Sequence, residues 1–224
     1  TIRRDSAELL SDMIRHHRSV LDGSQMSLFK YFADEGFAQA FMLRGEMRFG
    51  SLAYYRGIED GGVRGDPRDG MLQYAPDGGI EITMAADGRK LRGTAFTTAA
   101  ERMFLYSASN DLSADRAKDF GRFCLEVAEP DAIVRRLKAR ASATSKLDYD
   151  GVHIGAMEYR PLDQIPAADW AFPERVVFIK PPEYADQNET RIVLPLKATA
   201  GLCDSHVLVS VGNLEEITQL HILA

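Results

Sequence analysis

Cysteine is scarce in this chain, with two in 224 residues. Cys124 and Cys203 each sit in an apolar, strand-like context, without C-x-x-C spacing and without a histidine at ligand spacing. That excludes a disulfide-built scaffold and argues against a zinc site; buried free thiols are the expectation. Long apolar runs are also missing: none approaches 18 residues, and the first residues show no basic-then-apolar pattern. A soluble, cytoplasmic protein without a membrane partner is expected. Positive charge is not in excess, the net charge being -6, so no global basic field recruits nucleic acid, although a local patch remains compatible with that sum. Phosphate-loop and dinucleotide glycine signatures, the H-E-x-x-H pair and the G-x-S-x-G elbow are all absent. What is present is a 45% hydrophobic chain, enough to bury a substantial core.

The pattern along the chain predicts an α+β fold: mixed, mostly antiparallel strands in one or two packed sheets, with helices near the N-terminus and in mid-chain. Residues 1–224 are expected to form a single domain. Leu9, Leu10, Met13, Ile14, Val20 and Leu21 recur at helical spacing within an N-terminal helical segment over residues 1–22. Arg15, His16, His17 and Arg18 then form a solvated basic face. Strands are expected at 27–32, 46–49, 80–85, 91–97, 102–107, 122–127, 152–159, 176–179, 190–196 and 206–211. Helices are expected from the Asp34 cap to Leu43 and from Pro130-Asp131 onward, with a last short helix from Leu214 before a terminal strand. Asp87-Gly88 reads as a hairpin turn. A loop-rich insert covers 56–79, and residues 161–174, with three prolines and the single Trp170, suit a lid.

The chemistry left is that of Arg, Asp, Glu, Ser and Tyr. Asp60, Asp66 and Asp69 are oxygen ligands in type, but Arg56, Arg64 and Arg68 alternate with them and would neutralise them. A salt-bridged loop is the first reading, a substrate-binding loop the second, and no metal is expected. The most polar strand entrance is Gln187-Asn188-Glu189-Thr190-Arg191, leading into Ile192-Val193-Leu194. A strand repeats every two residues, so Gln187, Glu189 and Arg191 would share one face. Such a row is costly on a buried face unless it is paired or lines a site. As a simple ion pair, Glu189 and Arg191 would find partners in Lys30 or Arg48.

Tyr55-Arg56-Gly57, then Ser107-Ala108-Ser109 after an apolar strand, then Gln187-x-Glu189 entering another strand resembles the ADP-ribosyltransferase superfamily in its arginine/serine/glutamate branch. The resemblance covers about a dozen residues and implies NAD as substrate, with no metal. It assigns Glu189 to the carboxylate that stabilises an oxocarbenium-like ribosyl transition state, Gln187 to acceptor selection and Ser107 to buttressing the site. Arg56 would anchor the pyrophosphate; Arg48, on a strand, is the rival for that role. Tyr31, Tyr55 and Ser109 join the dinucleotide-binding set. In the superfamily's other branch, the first-strand position falls at Lys30 or Tyr31, where histidine would be expected. The chain also resembles a group of uncharacterised bacterial proteins with a Lys-Tyr strand, an Arg/Asp-rich loop and a late Gln/Glu-x-Glu-x-Arg strand. The superfamily implies a toxin or defence role and an acceptor macromolecule whose class is open. Two other classes remain: a non-catalytic module binding a nucleotide or nucleic acid, and a protein-interaction component without a small-molecule site.

Overall fold

The computed structural model describes residues 27–58, 66–84, 86–140, 146–162, 172–201 and 205–224. The expected helix within 1–22, Asp60, Arg64, Trp170 and Cys203 lie outside these residues, as does most of the expected lid. The fold is α+β, built among the described residues on one eight-stranded sheet and three two-stranded ones.

The centre of the sheet is β7 (Met103–Ser109) against β12 (Glu189–Pro195), antiparallel over their whole length, with Glu189 opposite Ser109 and Arg191 opposite Ser107. Each contains an apolar run, Met103 to Tyr106 in β7 and Ile192 to Leu194 in β12, as strands covered on two faces should. On the far edge of β12 lies β9 (His153–Ala156), with Gly155 opposite Arg191. The other edge of β7 is divided. Its start pairs with β2 (Glu46–Ser51) through Phe104 and Leu105, and its end pairs with β1 (Leu28–Phe32) through Ser109. Beyond β2 lies β13 (His206–Ser210); beyond β1 lie β8 (Phe123–Val127) and β14 (Thr218–Ile222). The sheet therefore forks at Tyr106, Ser107 and Ala108, which pair with neither branch. Lys30 Nζ enters this gap and donates to the Ser107 carbonyl at 2.6 Å, lying 4.5 Å from the centre of the Tyr106 ring. A backbone acceptor left by the fork is thus met by a charged donor.

One face of the sheet holds the main core. Phe49, Phe104, Tyr106, Ile192 and Leu194 pack there against Phe41 of α1 (Glu35–Arg44) and Ile133 and Leu137 of α4 (Pro130–Ala139). Asp34 caps α1 as expected, and Gly45, at φ 61, ends it. Between these helices in sequence come two short ones: α2 (Leu52–Arg56), capped by Ser51, and α3 (Ala114–Phe120), capped by Ser113.

The opposite face carries Leu105, Val193, Glu189 and Arg191. It is covered by α2, by the turn at 66–70, and by the segment running from α5 (Pro173–Val176) through β11 (Ile179–Lys180) to a 3-10 helix, Pro182–Gln187. Two small sheets brace that cover: β3 (Met71–Tyr74) with β6 (Phe96–Ala99), and β10 (Glu158–Tyr159) with β11.

Several expected elements shift. The strand at 176–179 is instead the end of α5 followed by β11, because Pro173 starts a helical turn that Arg175 N closes on the Phe172 carbonyl. The hairpin forms as β4 (Ile80–Thr83) with β5 (Lys90–Gly93), while 96–99 leaves it to pair with β3. The helix from Leu214 is a single 3-10 turn, Glu215–Ile217. Among the described residues, no helix is long and apolar enough to cross a membrane.

Candidate functional site

Glu189 and Arg191 alternate on β12 and point to the same face, as a strand requires. Glu189 Oε1 accepts from Arg191 Nε at 2.7 Å, and Oε2 accepts from Lys180 Nζ at 2.8 Å. Arg191 then turns its fork to Asp69, donating Nη1 to Oδ1 and Nη2 to Oδ2, each at 2.8 Å, and Nη1 also reaches the Val177 carbonyl. All four charged groups are buried: Arg191 is 1% exposed and Glu189 6%. Two anions and two cations balance, which is what lets charge persist away from water.

Two glycines make the room. A Cβ on Gly155, opposite Arg191, would stand 3.0 Å from the Phe178 ring. Its absence lets residues 177–178 lie on the sheet, where the Val177 carbonyl meets Arg191. A Cβ on Gly50 would stand 2.7 Å from the Tyr55 ring, so that ring lies flat against β2.

Gln187 does join Glu189, but by another route than strand alternation. It ends the 3-10 helix, and Asn188 follows in the left-handed region at φ 42, ψ 52. That kink returns the Gln187 side chain so that its Oε1 accepts from Lys180 Nζ at 2.8 Å, the same ammonium that holds Glu189. Asn188 holds the kink through bonds to Asp111 and Asn110.

The electrostatics follow from these contacts. Burial alone would raise the Glu189 pKa, but the Arg191 and Lys180 charges outweigh it and hold the carboxyl well below the usual carboxylate range. Arg191 is pushed the other way: burial opposes its charge, yet Asp69 and Glu189 raise it further above its ordinary value. Burial, reinforced by the Glu189 charge, pushes the Tyr55 hydroxyl up to about 12. Tyr159 donates nothing to Glu189; its hydroxyl accepts from the Glu189 backbone N–H at 2.8 Å. Tyr184 lies beside Lys180, with Nζ 5.3 Å from its ring centre.

The other expected site residues fall into three places. Tyr55 is in the Glu189 cluster. Arg56 touches it only indirectly, donating to the Asp69 carbonyl and ion-pairing with Glu101. Ser109 belongs to an adjoining clamp, where Arg116 Nη1 donates to its Oγ and to Asp111 Oδ1, each at 2.7 Å, and Nη2 to the Asp186 carbonyl. Tyr31 serves that clamp, its hydroxyl donating to the Asp111 carbonyl and accepting from Ser113 N. Ser107 sits opposite Arg191, and its carbonyl takes Lys30. Arg48 stands apart on the exposed side of β2, near His206 and over the Tyr54 ring.

The ion pair read from sequence is real, but its partners are Lys180 and Asp69 in place of Lys30 or Arg48. Lys30 is engaged at the fork, and Arg48 lies on solvent. Lys180 has no signal in the sequence beyond being a lysine between an apolar run and a proline pair. Asp69 stands in the sequence among neighbouring arginines, whereas its partner in the fold is Arg191, 122 residues away. Among the described residues no group of His, Cys, Asp and Glu could hold a metal ion. Cys124 is buried and free, and burial pushes its thiol up to about 12. Comparison with family models, curated proteins and solved structures finds no match.

Proposed function

We propose that this protein is an NAD-consuming enzyme of the ADP-ribosyltransferase kind, with Glu189 as its electrostatic carboxylate. The observation that carries the reading is the meeting of Gln187 and Glu189 on Lys180 Nζ, each at 2.8 Å, under a cover of tyrosines. A core has no need of that much buried polarity, and a carboxylate fixed in its anionic form is what C–N cleavage at a ribose calls for. The C1′–N bond breaks with its electron pair going to the nicotinamide nitrogen. Positive charge develops on the ribosyl group, and a preorganised carboxylate stabilises it. The acceptor's nucleophile then bonds to C1′ and gives its proton to solvent. For a ribose hydroxyl to reach Oε2, Lys180 gives up that oxygen; the diphosphate of the dinucleotide is an anion able to take the ammonium in exchange.

The test is nicotinamide release from NAD, with and without candidate protein, DNA and RNA acceptors. Wild type releases it, and Glu189→Gln lowers the rate by about 100-fold or more while circular dichroism is kept. Because Glu189 is a buried ion-pair member, Gln187→Ala serves as a milder variant, expected to change transfer relative to hydrolysis. Equal release by wild type and a folded Glu189→Gln would remove the assignment. A second reading, a non-catalytic nucleotide-binding module, is favoured by one observation: both Glu189 oxygens are already engaged and the residue is 6% exposed. Binding of NAD without any nicotinamide release would select it.

A further inference from the structure

Asp66 is a buried carboxyl of this region that the ion-pair network leaves over among the described residues. It is 2% exposed. Its Oδ1 accepts from the Arg68 backbone N–H at 2.9 Å, while its buried Oδ2 has no hydrogen-bond partner among the described residues. The charged and titratable groups that act on it are Asp69 from its own turn, Lys180 from β11, Tyr184 from the 3-10 helix and Arg191 from β12, while the Arg68 charge acts on Tyr184. Lys180 and Arg191 are already neutralised by Glu189 and Asp69. A fifth full charge would make the cluster a net anion in a buried setting, which burial and the Asp69 charge both oppose.

We propose that Asp66 is a further ligand-contacting residue of this site, a neutral carboxylic acid whose Oδ2–H donates to an uncharged acceptor oxygen such as that of a carboxamide. A neutral acid is a donor, whereas the nearby Glu189 and Asp69 are acceptors only. The site so built presents one donor without a fixed charge beside the Lys180 ammonium. It therefore favours a ligand carrying a carboxamide over one carrying the corresponding carboxylate, because the acid analogue would bring a further full negative charge into a buried cluster whose charges already balance. Burial, and secondarily the Asp69 charge, lifts the Asp66 carboxyl above its ordinary value, against the pull of the Arg68 N–H, Lys180 and Arg191.

The inference rests on the cluster being a ligand site, and the test keeps the two apart. Carboxyl-carbon NMR of the whole protein is expected to show one aspartate signal that titrates above the ordinary value of about 3.9 and vanishes in Asp66→Asn. Saturating NAD should shift that midpoint further up, because only the protonated form donates. Asp66→Ala should weaken NAD binding by about tenfold at pH 6, whereas Asp66→Asn, whose amide N–H₂ also donates, should stay within about threefold of wild type. An Asp66 signal titrating at or below the ordinary value, or a carboxyl still ionised at about pH 6 in the NAD-saturated protein, overturns the proposal. So does a raised midpoint that NAD leaves in place while the wild type turns NAD over. If the wild type neither binds nor consumes NAD, the dinucleotide reading falls, and Asp66 is judged by its midpoint and by the same titration with nicotinamide alone, an unmoved midpoint overturning it.

Discussion

At the scale of single residues, Lys180 has the most consequential position. Its ammonium is 3% exposed as a residue and ties Gln187, Glu189 and the Tyr184 ring into one unit. Removing it leaves Glu189 with Arg191 alone and breaks the bond to the Gln187 oxygen. Breaking a buried pair from one side costs about 3–5 kcal/mol, because the remaining charge stays out of water. Lys180→Met should therefore lower the denaturant midpoint strongly. Arg89→Met supplies the contrast: Arg89 bonds Asp87 at 2.5 Å, but the pair is exposed and such pairs are worth at most about 1 kcal/mol. Equal midpoint losses in urea titrations of the two variants would show that burial does not give Lys180 its weight.

At the scale of elements, β12 shows how far a sequence carries. Its alternation placed Glu189 and Arg191 together because period two is intrinsic to a strand. Gln187 was placed on the same face by the same rule, yet it stands on a 3-10 helix and arrives through the left-handed Asn188. A right neighbour was reached for the wrong reason. The strands 28–32, 103–109, 123–127 and 206–210 were legible because apolar alternation and turn residues are local. The fork of the sheet was not, since it depends on which strands share an edge of β7. Nor was Asp69 on Arg191, a pairing that only the folded cover creates. The short helices α2 and α3 did leave a trace, Ser51 and Ser113 as N-caps, but few turns follow to build a period. Close packing of α2 on β2 also makes a prediction. Gly50→Ala would put a methyl 2.7 Å from the Tyr55 ring, which must turn out of the cluster. Overpacking of this kind costs about 1–3 kcal/mol. The expected result is a lower midpoint together with a Tyr55 hydroxyl that titrates nearer its ordinary value of about 10, followed by tyrosinate absorbance. An unchanged tyrosine titration would mean that the ring has not moved.

At the scale of the whole molecule, the ion-pair network ties the turn at 66–70 and the segment 177–187 to the central strand pair, so its ionisation should appear in global stability. The sign follows from where protons bind. Glu189 has a folded pKa below its unfolded value of about 4.5, so its contribution is complete above that value. As pH falls below about 4.5, the unfolded chain takes up a proton at Glu189 that the folded chain refuses, and stability falls with it. Asp66 works oppositely: its raised folded pKa means that stability is lost as pH rises through it. Glu189→Gln should therefore be less stable than wild type at pH 7 and should show a shallower loss between about pH 5 and 3. Salt separates this limb from the surface charges. At 1 M ionic strength the screening length is about 3 Å, which quiets exposed pairs such as Arg44–Glu46 and Lys90–Glu81 but not a pair from which water and ions are excluded. Urea midpoints measured from pH 3 to 8 in low salt and in 1 M salt should keep the wild-type excess slope over Glu189→Gln at both. If 1 M salt erases the difference between the two proteins, the network is open to solvent ions, and Glu189 is held by surface electrostatics instead of a buried lock.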